Sequence, residues 1–176
     1  LEAQLANVAD EIAYNNHDID DGLRSGLLTL EQLSEVRAFA RPLAEVRARY
    51  PGLADRRLVH ETIRRMIDAH ITDLSRTSAE NIRRAGVASL EEVRAAPTLI
   101  CFSPEMAEEQ QELKRFLRVN LYQHYLVARM AAKARRIVAE LFEAFVSEPK
   151  MLPPEHREAA ERESLERAIA DYIAGM

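Results

Sequence analysis

The segment VADEIAYNNHDIDDG, residues 8–22, concentrates side chains that bind metals or accept hydrogen bonds. Its candidates are Asp10, Glu11, Asp18, Asp20 and Asp21, together with Tyr14 and His17. On an α-helix, each step of four residues advances about one turn and rotates by roughly 40°. Asp10, Tyr14 and Asp18 would therefore form a row about 12 Å long. We expect Asp10 to lie beside the apolar stripe, where a partly buried carboxylate needs a cation or a metal as its partner.

A simpler interpretation of the same segment stays open. Asp18, Asp20 and Asp21 could be turn residues ahead of Gly22, where short acidic side chains satisfy local backbone donors. His17 could be a surface residue or a helix-end cap. Spacing alone favours this interpretation, because acidic residues beside a glycine turn are common.

Composition limits the class of protein. The chain has 176 residues, 47% of them hydrophobic and 30% charged, which is enough for one globular domain or for a domain with an appendage. Its net charge of −5 does not suggest a general nucleic-acid binder. One cysteine, Cys101, cannot form an internal disulfide, which favours a cytoplasmic location, and the residue reads as a small buried hydrophobe. The chain opens at Leu1 inside a helical pattern, so we interpret it as a piece of a longer protein.

The apolar spacing predicts an all-α fold, because Ala, Leu, Glu and Arg dominate and glycine is scarce. Thr29 with Gln32 forms a capping-box pattern, and Ser89 caps a later helix. The segment TLICF, residues 98–102, is the single predicted strand. The predicted helices cover about residues 1–16, 30–41, 43–50, 55–75, 77–86, 90–96, 104–146 and 155–174, the last two being a long helix and a final amphipathic helix.

Several long segments resemble the deoxynucleoside triphosphate triphosphohydrolases, the dGTPase-like branch of the HD-domain phosphohydrolases. They are LEAQLANVADEIAYNNHDIDDGL, RRLVHETIRRMIDAHITDL, FLRVNLYQHYLVARMAAKARRIVAELFEAF and LPPEHR. The resemblance spans nearly the whole chain in order. It implies an HD-domain-like multi-helix bundle, with residues 1–97 as the C-terminal portion of the HD-type domain and residues 98–176 as a C-terminal helical extension.

The same resemblance implies roles for the row of side chains. Asp10 would be the last of four metal ligands, Tyr14 would pack against the substrate's sugar, and Asp18 would accept a hydrogen bond from its 3′-hydroxyl. In the family, a His and a His-Asp pair from upstream helices complete the metal site, and this chain lacks those motifs. We therefore expect a divalent cofactor (Mg²⁺, Mn²⁺ or similar) to bind weakly to this chain alone, which would be inactive and carry no assigned catalytic residue.

The resemblance implies that the parent enzyme hydrolyses a dNTP to a deoxynucleoside and tripolyphosphate. It also implies a deoxynucleoside triphosphate substrate and a homo-oligomer, and we expect no membrane partner. Two alternatives remain open. The first is an HD phosphohydrolase of other specificity, and the second is a non-catalytic helical module that oligomerises or binds nucleic acid.

Basic residues in the long helical segments have more than one interpretation. Arg57 and Arg64, from the group Arg56, Arg57, Arg64 and Arg65, could clamp a triphosphate through bidentate hydrogen bonds. The alternative, which the residues alone favour, is a solvated face that pairs with Asp55, Glu61 and Asp68. His70 lies among apolar neighbours, and we interpret it as a core residue.

The basic residues after residue 113 admit three interpretations. They could form a solvated face, line a subunit interface or effector site, or contact single-stranded nucleic acid, which requires aromatic platforms. The aromatic residues nearby, Phe116, Tyr122 and Tyr125, match core spacing better. The basic set comprises Lys114, Arg115, Arg118, Arg129, Lys133, Arg135 and Arg136.

Overall fold

The structure is a computed structural model that describes residues 1–176, and it contains helices and no strand, which confirms the all-α prediction. No helix combines the length and the apolar composition that crossing a bilayer requires. A π-helical turn follows α6 at Arg118–Tyr122, and a 3-10 turn lies at Pro149–Met151. The helices are α1 Glu2–Arg24, α2 Leu30–Leu33, α3 Arg37–Arg49, α4 Asp55–Ala85, α5 Leu90–Ala95, α6 Pro104–Leu117, α7 Tyr125–Ser147, α8 Pro154–Arg162 and α9 Leu165–Ala174.

Side-chain caps define several helix starts, as the sequence predicts. The Thr29 hydroxyl accepts from the Gln32 backbone nitrogen at 3.3 Å, and the Gln32 side chain accepts from the Thr29 nitrogen at 2.9 Å. Ser89 and Glu92 form the same reciprocal box at the start of α5. These pairs satisfy backbone donors that have no partner inside the helix, so short helices become stable.

Helix α1 does not end at Asn16 but continues to Arg24, so the acidic residues after His17 are helical and not turn residues. The predicted stop signal, Gly22, has another role. A β-carbon at residue 22 would lie 2.5 Å from Cδ1 of the buried Leu28, so glycine permits close packing of the following loop. The chain turns after α1 at Gly26, whose φ of 73° lies in the left-handed region.

The prediction that TLICF forms a strand is wrong. The segment lies between α5 and α6 without a neighbouring strand, and its backbone donors bond to side chains instead. Leu99 and Ile100 both donate to the Gln4 side-chain oxygen at 3.1 Å, and Cys101 donates to the Ser78 hydroxyl at 3.2 Å. The segment is thus held against α1 and α4 by polar contacts.

Four further helix boundaries differ from the prediction. Helix α4 continues without a break through residues 77–85, and α3 passes through Pro42 instead of ending there. The long helix predicted for residues 104–146 is two helices, since the π-helical turn and Gln123–His124 separate α6 from α7. The final helix predicted for residues 155–174 is also two helices, α8 and α9, because the Ser164 hydroxyl accepts from the Arg167 nitrogen and starts α9.

The chain forms two compact units, residues 1–124 and residues 125–176. The predicted domain boundary at residue 97 stays a prediction. In the first unit, α1, α3, α4 and α6 pack around a fully buried core. Its central side chains include Ile19, Leu33, Phe39, Met66, Leu113 and Leu117.

The second unit has a small core of its own. Phe145, Leu152 and Ile169 are buried together, with α9 packed against α7 and α8. The rings of Phe145 and Tyr172 meet edge to face at 5.4 Å between centroids. This contact fixes the C-terminal end of α7 to α9.

Candidate functional site

Helix α1 runs without interruption through Asp10, Tyr14 and Asp18, which therefore form one row of side chains. Asp10 is exposed, the Tyr14 ring is 59% exposed, and Asp18 is half-buried. A carboxylate, a phenol ring and a second carboxylate are thus presented along the same side of the helix.

The expectation that Asp10 is partly buried beside the apolar stripe is wrong. The apolar side of α1 packs inward through Ile12 and Ile19. At 100° per residue, Asp10 lies about 160° around the helix from Ile12 and about 180° from Ile19. Asp10 therefore faces away from the core, and burial gives this carboxylate no need of a partner.

Tyr122 completes the row from a distant part of the sequence. Its hydroxyl donates a hydrogen bond to the Asp18 carboxylate. Partial burial and the Asp18 charge raise the pKa of the Tyr122 phenol well above its usual range, so the phenol remains a donor. The contact joins α1 to the π-helical turn after α6.

Sequence reasoning missed Tyr122 because it assigned Tyr122 and Tyr125 to core positions. The rings are 40% and 63% exposed, respectively. A π-helical turn has more residues per turn than an α-helix, so it moves Tyr122 out of phase with the apolar stripe of α6. No local pattern in the sequence indicates this turn or the pairing with Asp18.

A second polar contact ties α1 to α6 beside the row. Lys114 Nζ lies 2.7 Å from the Glu11 carboxylate, and both side chains are partly exposed. Glu11 and Asp18 lie two turns apart on α1, so α6 and the turn after it hold this helix at two points.

Buried polar side chains connect α1, α6 and α4 beneath the row. Asn15 donates to the Gln110 side-chain oxygen at 3.4 Å, and the Gln110 nitrogen lies 2.7 Å from Nε2 of His70. His70 is buried, as predicted, and desolvation lowers its pKa to about 4 against the opposing effect of the Asp73 charge, while the Arg41 charge adds the smallest, lowering effect. A neutral imidazole can accept from Gln110 through Nε2, which places the proton on Nδ1.

The predicted phosphate-binding arginines lie on α4. Arg64 makes a bidentate contact with Glu61 at 2.8 and 2.9 Å, and this carboxylate raises the pKa of Arg64. Arg57, His60 and Arg64 line a depression of about 330 Å³. The structure therefore shows the Glu61 pairing that the solvated-face interpretation predicts, and a phosphate role for Arg57 or Arg64 stays a prediction.

A cleft of about 490 Å³ separates α1 from α4 in the first unit. Its lining is mainly apolar, and the polar side chains of Asn16, His17 and His60 also reach it. Asn16 is buried, and its side-chain oxygen has no hydrogen-bond partner. Sequence reasoning did not place His17 and His60 at one cleft, because they lie on different helices.

No group of three or more His, Cys, Asp or Glu side chains has the arrangement needed to hold a metal ion. A single exposed carboxylate is a suitable ligand for a divalent cation but does not form a site by itself. The residues of this chain could thus supply one ligand to a metal ion but do not form a complete metal site.

Comparisons with known proteins show what the chain is similar to. A family model described as a phosphohydrolase-associated domain matches residues 100–176. Deoxyguanosinetriphosphate triphosphohydrolase-like proteins from Thiobacillus denitrificans and Bordetella pertussis are each 60% identical over the whole chain, which covers 46% of each relative. The corresponding protein of Nitrosomonas europaea is 55% identical over the whole chain and is covered to 47%.

The chain is therefore similar over its full length to deoxyguanosinetriphosphate triphosphohydrolase-like proteins, which confirms the resemblance found in the sequence. It spans a little under half the length of the curated relatives that it matches.

Proposed function

We propose that the full-length protein carrying this chain is a metal-dependent dNTP triphosphohydrolase. Water adds to the α-phosphorus of the nucleotide, the bond from that phosphorus to the 5′-oxygen breaks, and the leaving oxygen takes up a proton. The products are a deoxynucleoside and inorganic tripolyphosphate. The proposal rests chiefly on 60% identity, over the entire chain, to proteins named dGTP triphosphohydrolase-like.

In this proposal, Asp10 supplies one ligand to a divalent cation that residues outside this chain also bind. The exposure of Asp10 supports this role, because the carboxylate is open to further ligands. A bound divalent cation would polarise a phosphoryl oxygen and lower the pKa of its water. This chain alone would then be inactive, since it offers one ligand of the set.

Tyr14 and Asp18 are proposed to contact the deoxyribose. The exposed phenol ring offers a rigid apolar surface one turn from each carboxylate. A carboxylate has about four acceptor positions, so Asp18 can accept from Tyr122 and still accept from a 3′-hydroxyl. Tyr122 holds the orientation of Asp18 and is therefore a positioning residue.

Arg57 is the better candidate of the two arginines for contact with the triphosphate. Arg64 already pairs with Glu61, and a phosphate would compete with that carboxylate. Arg57 is exposed in the same depression and makes no ion pair. The homo-oligomeric state predicted from the resemblance also belongs to this proposal.

A product assay on the full-length protein tests the reaction. Each of the four dNTPs is incubated with Mn²⁺ or Mg²⁺, and tripolyphosphate is separated from orthophosphate by anion exchange. Tripolyphosphate with an equimolar deoxynucleoside is the expected result. Orthophosphate in place of tripolyphosphate would assign the protein to the HD phosphohydrolases of other specificity, and no metal-dependent product would favour the non-catalytic module.

A further inference from the structure

Helix α7 carries an apolar stripe of which a large part is exposed. Met130 is 63% exposed, and Ile137 is 42% exposed. At 100° per residue, Met130, Ala134, Ile137 and Leu141 lie within about 60° of one another around the helix. Only the C-terminal end of the stripe is well covered, where Phe145 is buried against α9.

The spacing of this stripe is that of a coiled-coil seam. The steps from Met130 to Ala134, Ile137 and Leu141 are four, three and four residues, which is the alternation of a heptad repeat. A seam of this kind lies on one side of a helix and requires a second helix to fill it. Exposed apolar patches rimmed by charged residues mark interaction sites.

The two parts of α7 carry opposite charges, and this distribution indicates the partner. The first part of the helix is basic, with Arg129, Lys133, Arg135 and Arg136. The later part is acidic, with Glu140 and Glu143. A parallel pair of α7 helices would place like charges together, whereas an antiparallel pair places the basic N-terminal part of each helix beside the acidic C-terminal part of the other. Arg135 and Arg136 lie about 130° around the helix from the middle of the stripe, so they contribute little to either pairing.

We propose that α7 pairs with α7 of a second copy of this chain as an antiparallel coiled coil. Ala134 of one copy lies opposite Ile137 of the other, and Met130 lies opposite Leu141. The small side chain of Ala134 lets the two helices approach closely at the centre of the pair. The twofold axis passes between residues 135 and 136, so each contact occurs twice.

This register makes a specific charged pair. Lys133 and Glu140 flank the seam on the same side, the positions that face each other in an antiparallel coiled coil. Lys133 has no ion pair within its own chain, and Glu140 has only a 3.6 Å contact with the exposed Arg136. Lys133 of each copy therefore meets Glu140 of the other.

Helix α9 leaves room for this partner. It packs at Phe145, which lies about 80° around α7 from Ile137. Leu141 is only partly buried by that contact and keeps surface for Met130 of the second copy. The seam thus stays open on the side where Ile137 is exposed.

Charge reversal in the full-length protein tests the pairing, with the association constant measured by sedimentation equilibrium. Lys133→Glu creates two like-charge contacts, and we expect association to weaken by about tenfold. The double variant Lys133→Glu/Glu140→Lys restores opposite charges and is expected to return association to within about twofold of wild type. Arg135→Glu, which points away from the seam, serves as the control and leaves association unchanged.

Thiol cross-linking in a Cys101→Ser background gives a second readout that does not depend on other contacts between copies. With a short bismaleimide, Ala134→Cys is expected to form a covalent dimer, whereas Ala132→Cys, on the opposite side of α7, is not. Failure of Ala134→Cys to cross-link, equal cross-linking at both positions, or no restoration in the double charge variant would overturn the proposal. Single-stranded DNA that protects Ala134→Cys from a monofunctional maleimide, without covalent dimer formation, would assign the surface to nucleic acid instead.

Discussion

Helices α1 and α7 have the same length, 23 residues, but they expose opposite kinds of surface. The exposed side of α1 carries Asp10 and Tyr14, whereas its apolar residues Ile12 and Ile19 are buried. The exposed side of α7 includes the apolar Met130 and Ile137. The difference supports the two proposals made above, that α1 presents a binding site and that α7 presents a surface for assembly.

The two helices also differ in how they are held. Polar contacts to α6 and the following turn fix α1 at Glu11, Asn15 and Asp18, so its exposed row has a defined position. The contact between α7 and α9 is concentrated at its C-terminal end, around Phe145. A rigid row suits substrate contacts, because small displacements of positioning groups reduce rates strongly.

The largest expected effect on stability comes from replacing one isoleucine on each helix by alanine. Ile19 of α1 is completely buried, so Ile19→Ala removes packing and leaves a cavity. We expect it to lower the free energy of unfolding by about 2–5 kcal/mol. Ile137→Ala on α7 should lower it by less than about 1 kcal/mol in dilute solution. Chemical denaturation followed by circular dichroism measures both, and equal losses would contradict the proposed contrast between the helices.

The next largest effect is a pH dependence of the free energy of unfolding, which originates at His70 beneath α1. His70 has a pKa of about 4 in the folded protein, against an ordinary value of about 6.5 in the unfolded chain. The unfolded state therefore binds a proton first as the pH falls, and the free energy of unfolding should decrease by about 2 kcal/mol between pH 7 and pH 5. His70→Gln should flatten this dependence.

His60→Gln is the control for that measurement, because His60 is an exposed histidine on the same helix. The variant should keep the full pH dependence of the free energy of unfolding. The attribution to His70 fails if His70→Gln retains the wild-type slope, or if His60→Gln removes it.

A smaller effect is expected from Tyr122→Phe, which removes the donor to Asp18. The free energy of unfolding should fall by about 1 kcal/mol or less, because the pair is partly exposed. In the full-length enzyme, KM for the nucleotide should rise while the protein stays folded. Tyr50→Phe is the matched control, since its ring is also 40% exposed and its hydroxyl has no hydrogen-bond partner. An unchanged KM in Tyr122→Phe would show that Tyr122 does not position Asp18 for the substrate.

Local patterns predicted much of the fold. Apolar periodicity and capping residues indicated an all-α chain, the starts of α2 and α5, and the burial of His70. These features depend on neighbouring residues in the sequence, so the sequence shows them directly. The row of Asp10, Tyr14 and Asp18 follows from helical spacing in the same way.

Other features depend on contacts between distant residues. The sequence predicts Gly22 as a helix stop, but in the structure its lack of a side chain permits close packing of Leu28. The segment TLICF has strand-like composition, yet Gln4 and Ser78 satisfy its backbone. The exposure of Asp10 and the bond from Tyr122 to Asp18 depend on how α1 packs against α6, which no single segment reveals.

The measurement that most directly tests the central claim compares Asp10→Asn with wild type in the full-length protein, using metal-dependent release of tripolyphosphate from dNTPs. Asp21→Asn is the control, because Asp21 is an exposed acid on the same helix that pairs only with Arg24. We expect Asp10→Asn to reduce turnover by at least about 100-fold and Asp21→Asn to leave it near wild type. Wild-type release of tripolyphosphate by Asp10→Asn would show that Asp10 is an ordinary surface carboxylate and would contradict the assignment.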